Sequence, residues 1–155
     1  MDLKGKIAII TGAASGIGRS TAIHIAIRGC TPILVDIKEE QLLEALVKVL
    51  KYAPEATAEV CDITDAVKIK QLVQKVNESY GKIDILINNA GMMIVKFFDE
   101  LSQEEFDRQM AVNFYGGVNF IRAVVPIMEK QGKGVIINVA SVGGRLIVPG
   151  TTVYS

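Results

Sequence analysis

The chain has 155 residues, half of them hydrophobic, enough for a single domain over 1–155 with a real core. Its 17 Lys and Arg balance 17 Asp and Glu, so no basic face suggests nucleic acid and no acidic tail suggests a basic partner. The longest uncharged stretches fall short of the roughly 18 apolar residues a membrane span needs, and the N-terminus lacks a basic-then-apolar leader pattern, so a cytoplasmic protein with no membrane span is expected.

The first predicted element is an apolar strand at 6–11, which runs directly into Thr11-Gly12-Ala13-Ala14-Ser15-Gly16-Ile17-Gly18 and then a helical pattern over 17–29. Glycine admits φ > 0 and lets a ligand approach with no Cβ in the way, while the following helix points free N–H groups and a partial positive charge at an anion. A pyrophosphate fits such a turn, with Gly12, Ser15, Gly16, Ile17 and Gly18 as its candidate contacts. A second strand, 31–36, ends in Asp36. A carboxylate there, with Ile37 beside it, accepts hydrogen bonds from adenosine ribose hydroxyls and repels a 2′-phosphate, favouring NAD over NADP. Ser15 is not basic, and Lys38 and Arg19 are the rival cations. Asp36 is also placed to cap the helix that starts near Lys38, and the two roles can coexist.

A helix over 38–52 leads to a third strand, 56–61, ending at Asp62-Ile63. Asp62 is open to two roles, binding an adenine amino group or capping the helix over 65–80. The fourth strand, 83–87, is followed by Asn88-Asn89-Ala90-Gly91, which borders a ligand site or simply satisfies backbone groups in a turn. Met92, Met93, Phe97 and Phe98 come next, open between pocket lining and core. Ser102-Gln103-Glu104-Glu105 is a capping box for a helix over 103–130, with Asn113 in its middle. The fifth strand, 134–140, is followed by Ser141. Leu146, Ile147 and Val148 beyond it join the Met and Phe residues as a weak sign of an apolar substrate.

Gly29, Pro54 and Gly81 punctuate the helices, and the short, nearly continuous Ile/Val strands read as covered on both faces. The expected architecture is α/β, a doubly wound, Rossmann-like parallel sheet of five strands with right-handed crossovers and its ligand site at the carboxyl edge. Cys30 and Cys61 read as buried free thiols. His24 is the only histidine, a packing or surface residue, so neither a Ser-His-Asp triad nor a His-based metal site is available and no metal is expected.

The Thr11–Gly18 motif, Asp62, Asn88-Asn89-Ala90-Gly91, Asn113 within Ala-Val-Asn-Phe, Ser141, and Tyr154 thirteen residues after that serine resemble, in order and along the whole chain, the short-chain dehydrogenases/reductases. The resemblance implies a nicotinamide-dependent oxidoreductase of secondary alcohols or ketones. It assigns Asn113, Ser141 and Tyr154 to catalysis and Asn89, Ala90 and Gly91 to the border of the cofactor. It also implies a small-molecule substrate and a homo-oligomer for the complete protein. Hydride transfer at a carbinol carbon needs a proton moved at its oxygen: Tyr154 would be the acid/base, Ser141 the donor that polarises the oxygen, and Asn113 the holder of a water in the proton relay. A phenol, with a reference pKa of about 10, is a poor base at neutral pH. The family's remedy is a lysine four residues on, which favours phenolate. Here only Ser155 follows Tyr154, so the chain resembles the cofactor-binding front of such an enzyme. The sheet is expected to be incomplete relative to the family, and residues 1–155 alone are expected not to turn over an alcohol at a useful rate. The alternative is a non-catalytic dinucleotide-binding or interaction protein.

Overall fold

The computed structural model describes residues 2–146 and 148–154. Five strands, β1 (Ile7–Thr11), β2 (Thr31–Asp36), β3 (Thr57–Val60), β4 (Ile85–Asn88) and β5 (Val135–Asn138), form one parallel sheet in the order β3-β2-β1-β4-β5. The chain reverses its direction of strand addition between β3 and β4, which opens a crevice at the carboxyl ends of the central strands. Helices α1 (Gly16–Ile27), α2 (Glu39–Leu50), α3 (Ala66–Tyr80), α4 (Gln103–Met110) and α5 (Gly116–Gln131) connect and cover them.

Strand alternation sorts the core into two layers. Ala8, Ile10 and Leu34 pack with Ala22 and Ala26 of α1 and with Leu42, Ala45 and Val49 of α2. Ile7, Ile9, Ile33 and Val35 point the other way, against Ile69, Leu72, Val73 and Val76 of α3 and Phe120, Val124 and Met128 of α5. β5 lies at an edge and is poorly covered: Val135, Ile137 and Val139 remain 37–42% exposed. Cys30 and Cys61 are free and buried, as expected, and desolvation pushes both thiols up, Cys30 to about 11. His24 lies on the surface of α1, its Nδ1 2.7 Å from the Ser20 carbonyl.

The third and fifth strands are shorter than the sequence reading at both ends, and two further departures have a visible cause. The fourth strand starts at Ile85 because the backbone of Ile83 is taken by a side chain: its N–H donates to Gln131 Oε1 (2.9 Å) and its C=O accepts from Gln131 Nε2 (3.0 Å). The helix over 103–130 is one rod with a wide turn in it, since Ala111–Tyr115 is π-helical and the Gly116 N–H reaches back to the Ala111 carbonyl. The Ser102/Glu105 capping box opens this rod as expected. By length and composition alone the rod Gln103–Gln131 contains an 18-residue window apolar enough to cross a membrane. Its Phe120, Val124 and Met128 are core residues on the sheet, and Phe114 and Tyr115 are exposed.

The amino end of the sheet is tied by Asp84, which is 5% exposed. It accepts from the Ile7 N–H (3.0 Å) and pairs with Lys6 (3.1 Å) and Lys82 (3.4 Å). Burial pushes its carboxyl up, but the Ile7 hydrogen bond, the Lys6 hydrogen bond and both lysine charges outweigh that and hold it below the usual range. A carboxyl whose folded value is depressed adds stability above its unfolded pKa, about 3.9, and loses that contribution as pH falls through the folded value. Asp84→Asn is therefore expected to cost about 2 kcal/mol in urea unfolding at pH 7 and less at pH 2. Equal losses at both pH values would refute the charge-based account.

Candidate functional site

The carboxyl ends of β1 and β4 are tied together by side chains. Thr11 Oγ1 accepts from the N–H groups of Asn89 and Ala90 (3.0 Å each). The Asn89 side-chain amide donates to the carbonyls of Thr11 (3.0 Å) and Gly12 (3.3 Å). The fit leaves no room for larger residues. Gly12, at φ 67°, would put a Cβ 2.8 Å from Ala90 Cα, and a Cβ on Gly18 would collide with the Gly12 carbonyl and Asn89 Nδ2. Gly18 thus acts by letting α1 sit against the turn.

Beside this junction lies a cavity of about 800 Å³. Gly12, Ser15, Gly16 and Ile17 line it from the first turn, Asp36, Ile37 and Lys38 from the end of β2, and Asp62 and Ile63 from the end of β3. Asn89, Ala90 and Gly91 complete it from the end of β4. Every residue assigned to cofactor binding from sequence therefore faces one space, except Gly18, which is buried behind the turn. Ser15 precedes α1 without a side-chain capping bond, and the first turn of α1 has no acidic residue, so the helix carries no charge of its own against its positive end.

Asp36 lines the cavity but does not cap α2, which begins after Lys38 with no side-chain capping bond. Its Oδ2 accepts from the Ala14 N–H (3.0 Å), bracing the glycine turn, and its Oδ1 accepts from the Lys38 N–H (3.1 Å) ahead of α2. Asp62 does not cap α3. Asp65 does, accepting from Val67 and Lys68, because the cap must directly precede the first helical turn. Asp62 instead closes a small turn onto the Thr64 N–H (2.9 Å) and hydroxyl (2.8 Å), keeping it at the cavity wall. Asn88 donates to Asn138 Oδ1 (2.9 Å), bridging β4 and β5, while its own Oδ1 is buried without a partner among the described atoms. Lys38, Thr64, Cys61, Met92, Arg108, Ala111 and Val112 also line the cavity. Sequence reading had weighed Lys38 as a rival cation and Met92 as a pocket-lining candidate; the others come from neighbouring strand ends, from Arg108 of α4 and from the start of the π-helical turn, which no local motif marks.

Asn113 sits inside the π-helical turn. Its side chain bonds neither its own helix nor the sheet: Oδ1 accepts from the Met92 N–H and Nδ2 donates to the Met92 carbonyl (2.8 Å each). Ser141 Oγ accepts from the Gly143 N–H (3.1 Å), which leaves its own proton available to a substrate oxygen. Tyr154 packs near it: a Cβ placed on Gly143 would lie 3.0 Å from Tyr154 Cε1 and 3.4 Å from Ser141 Oγ. Tyr154 is held by its N–H to the Thr151 carbonyl (2.9 Å). Met93, Phe97, Phe98, Leu146 and Val148 are 50–66% exposed, so they are surface and not core; Ile147 lies outside the described residues. No cluster of three or more potential metal ligands occurs among the described residues.

The sequence profile of the short chain dehydrogenase family matches residues 6–155. A 3-oxoacyl-[acyl-carrier-protein] reductase of Thermotoga maritima is 42% identical over 156 residues, covering 100% of this chain and 63% of its own. The structure of an NAD+-bound xylitol dehydrogenase superposes with a TM-score of 0.95 at 32% identity, over 99% of this chain and 60% of that one. A 7α-hydroxysteroid dehydrogenase complexed with NADH and 7-oxo glycochenodeoxycholic acid gives 0.92 at 34%, over 98% and 59%. The chain thus spans about 60% of the length of the relatives it matches.

The Gly18 contact makes a direct prediction. Gly18→Ala must push the turn away from α1 and is expected to cost about 1–3 kcal/mol in chemical unfolding, with a circular dichroism spectrum that stays native in shape. An unchanged unfolding midpoint would mean that the turn and helix separate freely.

Proposed function

The chain belongs to the short chain dehydrogenase family, and on that premise we propose that it binds NAD(H) and serves hydride exchange with a secondary alcohol or ketone. What carries the reading is convergence: the ends of β1, β2, β3 and β4 contribute to one cavity whose floor is a glycine turn against an uncapped helix N-terminus.

The residues suit the ligand on their own chemistry. The N–H groups at the start of α1 suit a pyrophosphate, and Gly12 presents backbone with no side chain in the way. Asp36 at the far end suits a diol and opposes a 2′-phosphate, while Lys38 on the same wall is the one residue there that pulls the other way. Bound in this cavity, the nicotinamide would supply the hydride acceptor or donor. The chain's own residues do the rest. Ser141 donates a hydrogen bond to the substrate oxygen, and Tyr154 takes or gives its proton. Asn113 holds a water of the proton relay in this reading, with its side-chain amide spent on Met92, where it fixes the cavity wall. The substrates in the relatives' names, a 3-oxoacyl group and a 7-oxo steroid conjugate, carry ketones, which supports the same group here.

NADH is expected to bind at least tenfold more tightly than NADPH in a fluorescence titration, and Asp36→Ala should shrink that gap. Tighter binding of NADPH by the parent chain would overturn the cofactor assignment. In whatever length of the protein is active, Tyr154→Phe is expected to lower kcat by about 10²–10⁴-fold with NADH affinity within twofold of the parent. A kcat within threefold of the parent would remove Tyr154 from the acid/base role.

A further inference from the structure

Residues 92–96 leave β4 with no strand partner, yet they are held in register by the α4 rod. Asn113 bonds Met92 N–H and C=O, Gln109 Oε1 accepts from the Ile94 N–H (2.6 Å), and Glu105 pairs with Lys96 Nζ. The rod uses every fourth residue and the strap every second, running antiparallel. Four helical residues rise about 6 Å and two extended residues span about 6.6 Å, so the two repeats match over this length. Burial alternates accordingly: Met92 and Ile94 are half-buried, while Met93, Val95 and Phe97 are 53–61% exposed. On its other side the strap meets the loop between Ser141 and Tyr154: the Lys96 N–H donates to the Gly150 carbonyl (2.8 Å), and a Cβ on Gly150 would lie 3.3 Å from Val95 Cγ1.

Gln109 is the anomalous member. It is a polar residue 1% exposed, the one buried residue of α4, and the central of the three contacts. A slip of one residue would exchange the two sets of side chains, since alternate residues face opposite ways. We propose that Gln109 is a positioning residue that fixes this register, so that Met93, Val95 and Phe97 form an apolar wall beside the Ser141–Tyr154 loop and select ketones and alcohols carrying an apolar chain. The proposal rests on the oxidoreductase reading above for its substrate and on the structure alone for the clamp.

The experiment compares the parent chain with Gln109→Leu, which removes the acceptor at similar volume, and Gln109→Glu, which keeps an oxygen for the Ile94 N–H. Hydrogen exchange at the Ile94 amide should accelerate at least tenfold in Gln109→Leu and return to within threefold of the parent in Gln109→Glu. NADH affinity should stay within threefold throughout. With NADH bound, the parent should bind 2-octanol at least tenfold more tightly than 2-butanol, and Gln109→Leu should lose most of that preference while Gln109→Glu restores it. A residue with only a packing role would change stability without this rescue and without altering the ratio of the two alcohols. Unchanged Ile94 exchange in Gln109→Leu overturns the clamp, and no preference for 2-octanol in the parent overturns the apolar wall. If the parent fails to bind NADH, the oxidoreductase reading falls while the exchange measurement still decides the clamp.

Discussion

The site depends on how closely β1 and β4 approach at their carboxyl ends. One hydroxyl, Thr11 Oγ1, serves two backbone donors, and one amide, Asn89, serves two backbone acceptors. Those four bonds satisfy polar groups that a strand end would otherwise leave open beside a largely apolar interior. They bring the Ala90 backbone so near Gly12, and the Gly12 carbonyl so near Gly18, that neither glycine has room for a Cβ. The cavity follows from that approach, because its glycine floor and its Asn89–Gly91 wall are the two sides of the same junction.

Charge is divided between the two ends of the sheet. At the amino edge, the buried Asp84 carboxylate is matched by two lysines and a backbone N–H, so its job is to tie β1 to β4. At the carboxyl edge, Asp36 is met among the described residues by the backbone N–H groups of Ala14 and Lys38, and the start of α1 carries no acidic residue. The matched end is structural and the end with free capacity is the one suited to a ligand.

The sheet, its parallel sense and the strand-end residues were legible because each is written locally: short Ile/Val runs, a glycine turn, a carboxylate or asparagine pair directly after a strand. The Ser102/Glu105 cap was legible for the same reason. Asp84, Gln109 and Gln131 were not, since a polar residue in an ordinary position gives no sign that it will meet backbone 15, 48 or 77 residues away. The role of Asp62 was left open because two carboxylates three residues apart compete for one helix start, and only geometry decides in favour of Asp65. The exposure of β5 was partly foreseeable, since an edge strand in a doubly wound sheet needs a further neighbour to be covered.

The π-helical turn at Ala111–Tyr115 separates two working faces of one rod, the amides that hold the strap and the Phe120, Val124 and Met128 stripe on the sheet. Such a turn holds one residue more than an α-helical turn, and it absorbs that residue without rotating what comes after it. Elsewhere in the rod, adding or removing a residue would swing one face about 100° away from its target. The wide turn is therefore the place where the length of this helix can change by one residue during divergence while both faces keep their partners, and a relative with a regular helix here would read as a one-residue gap.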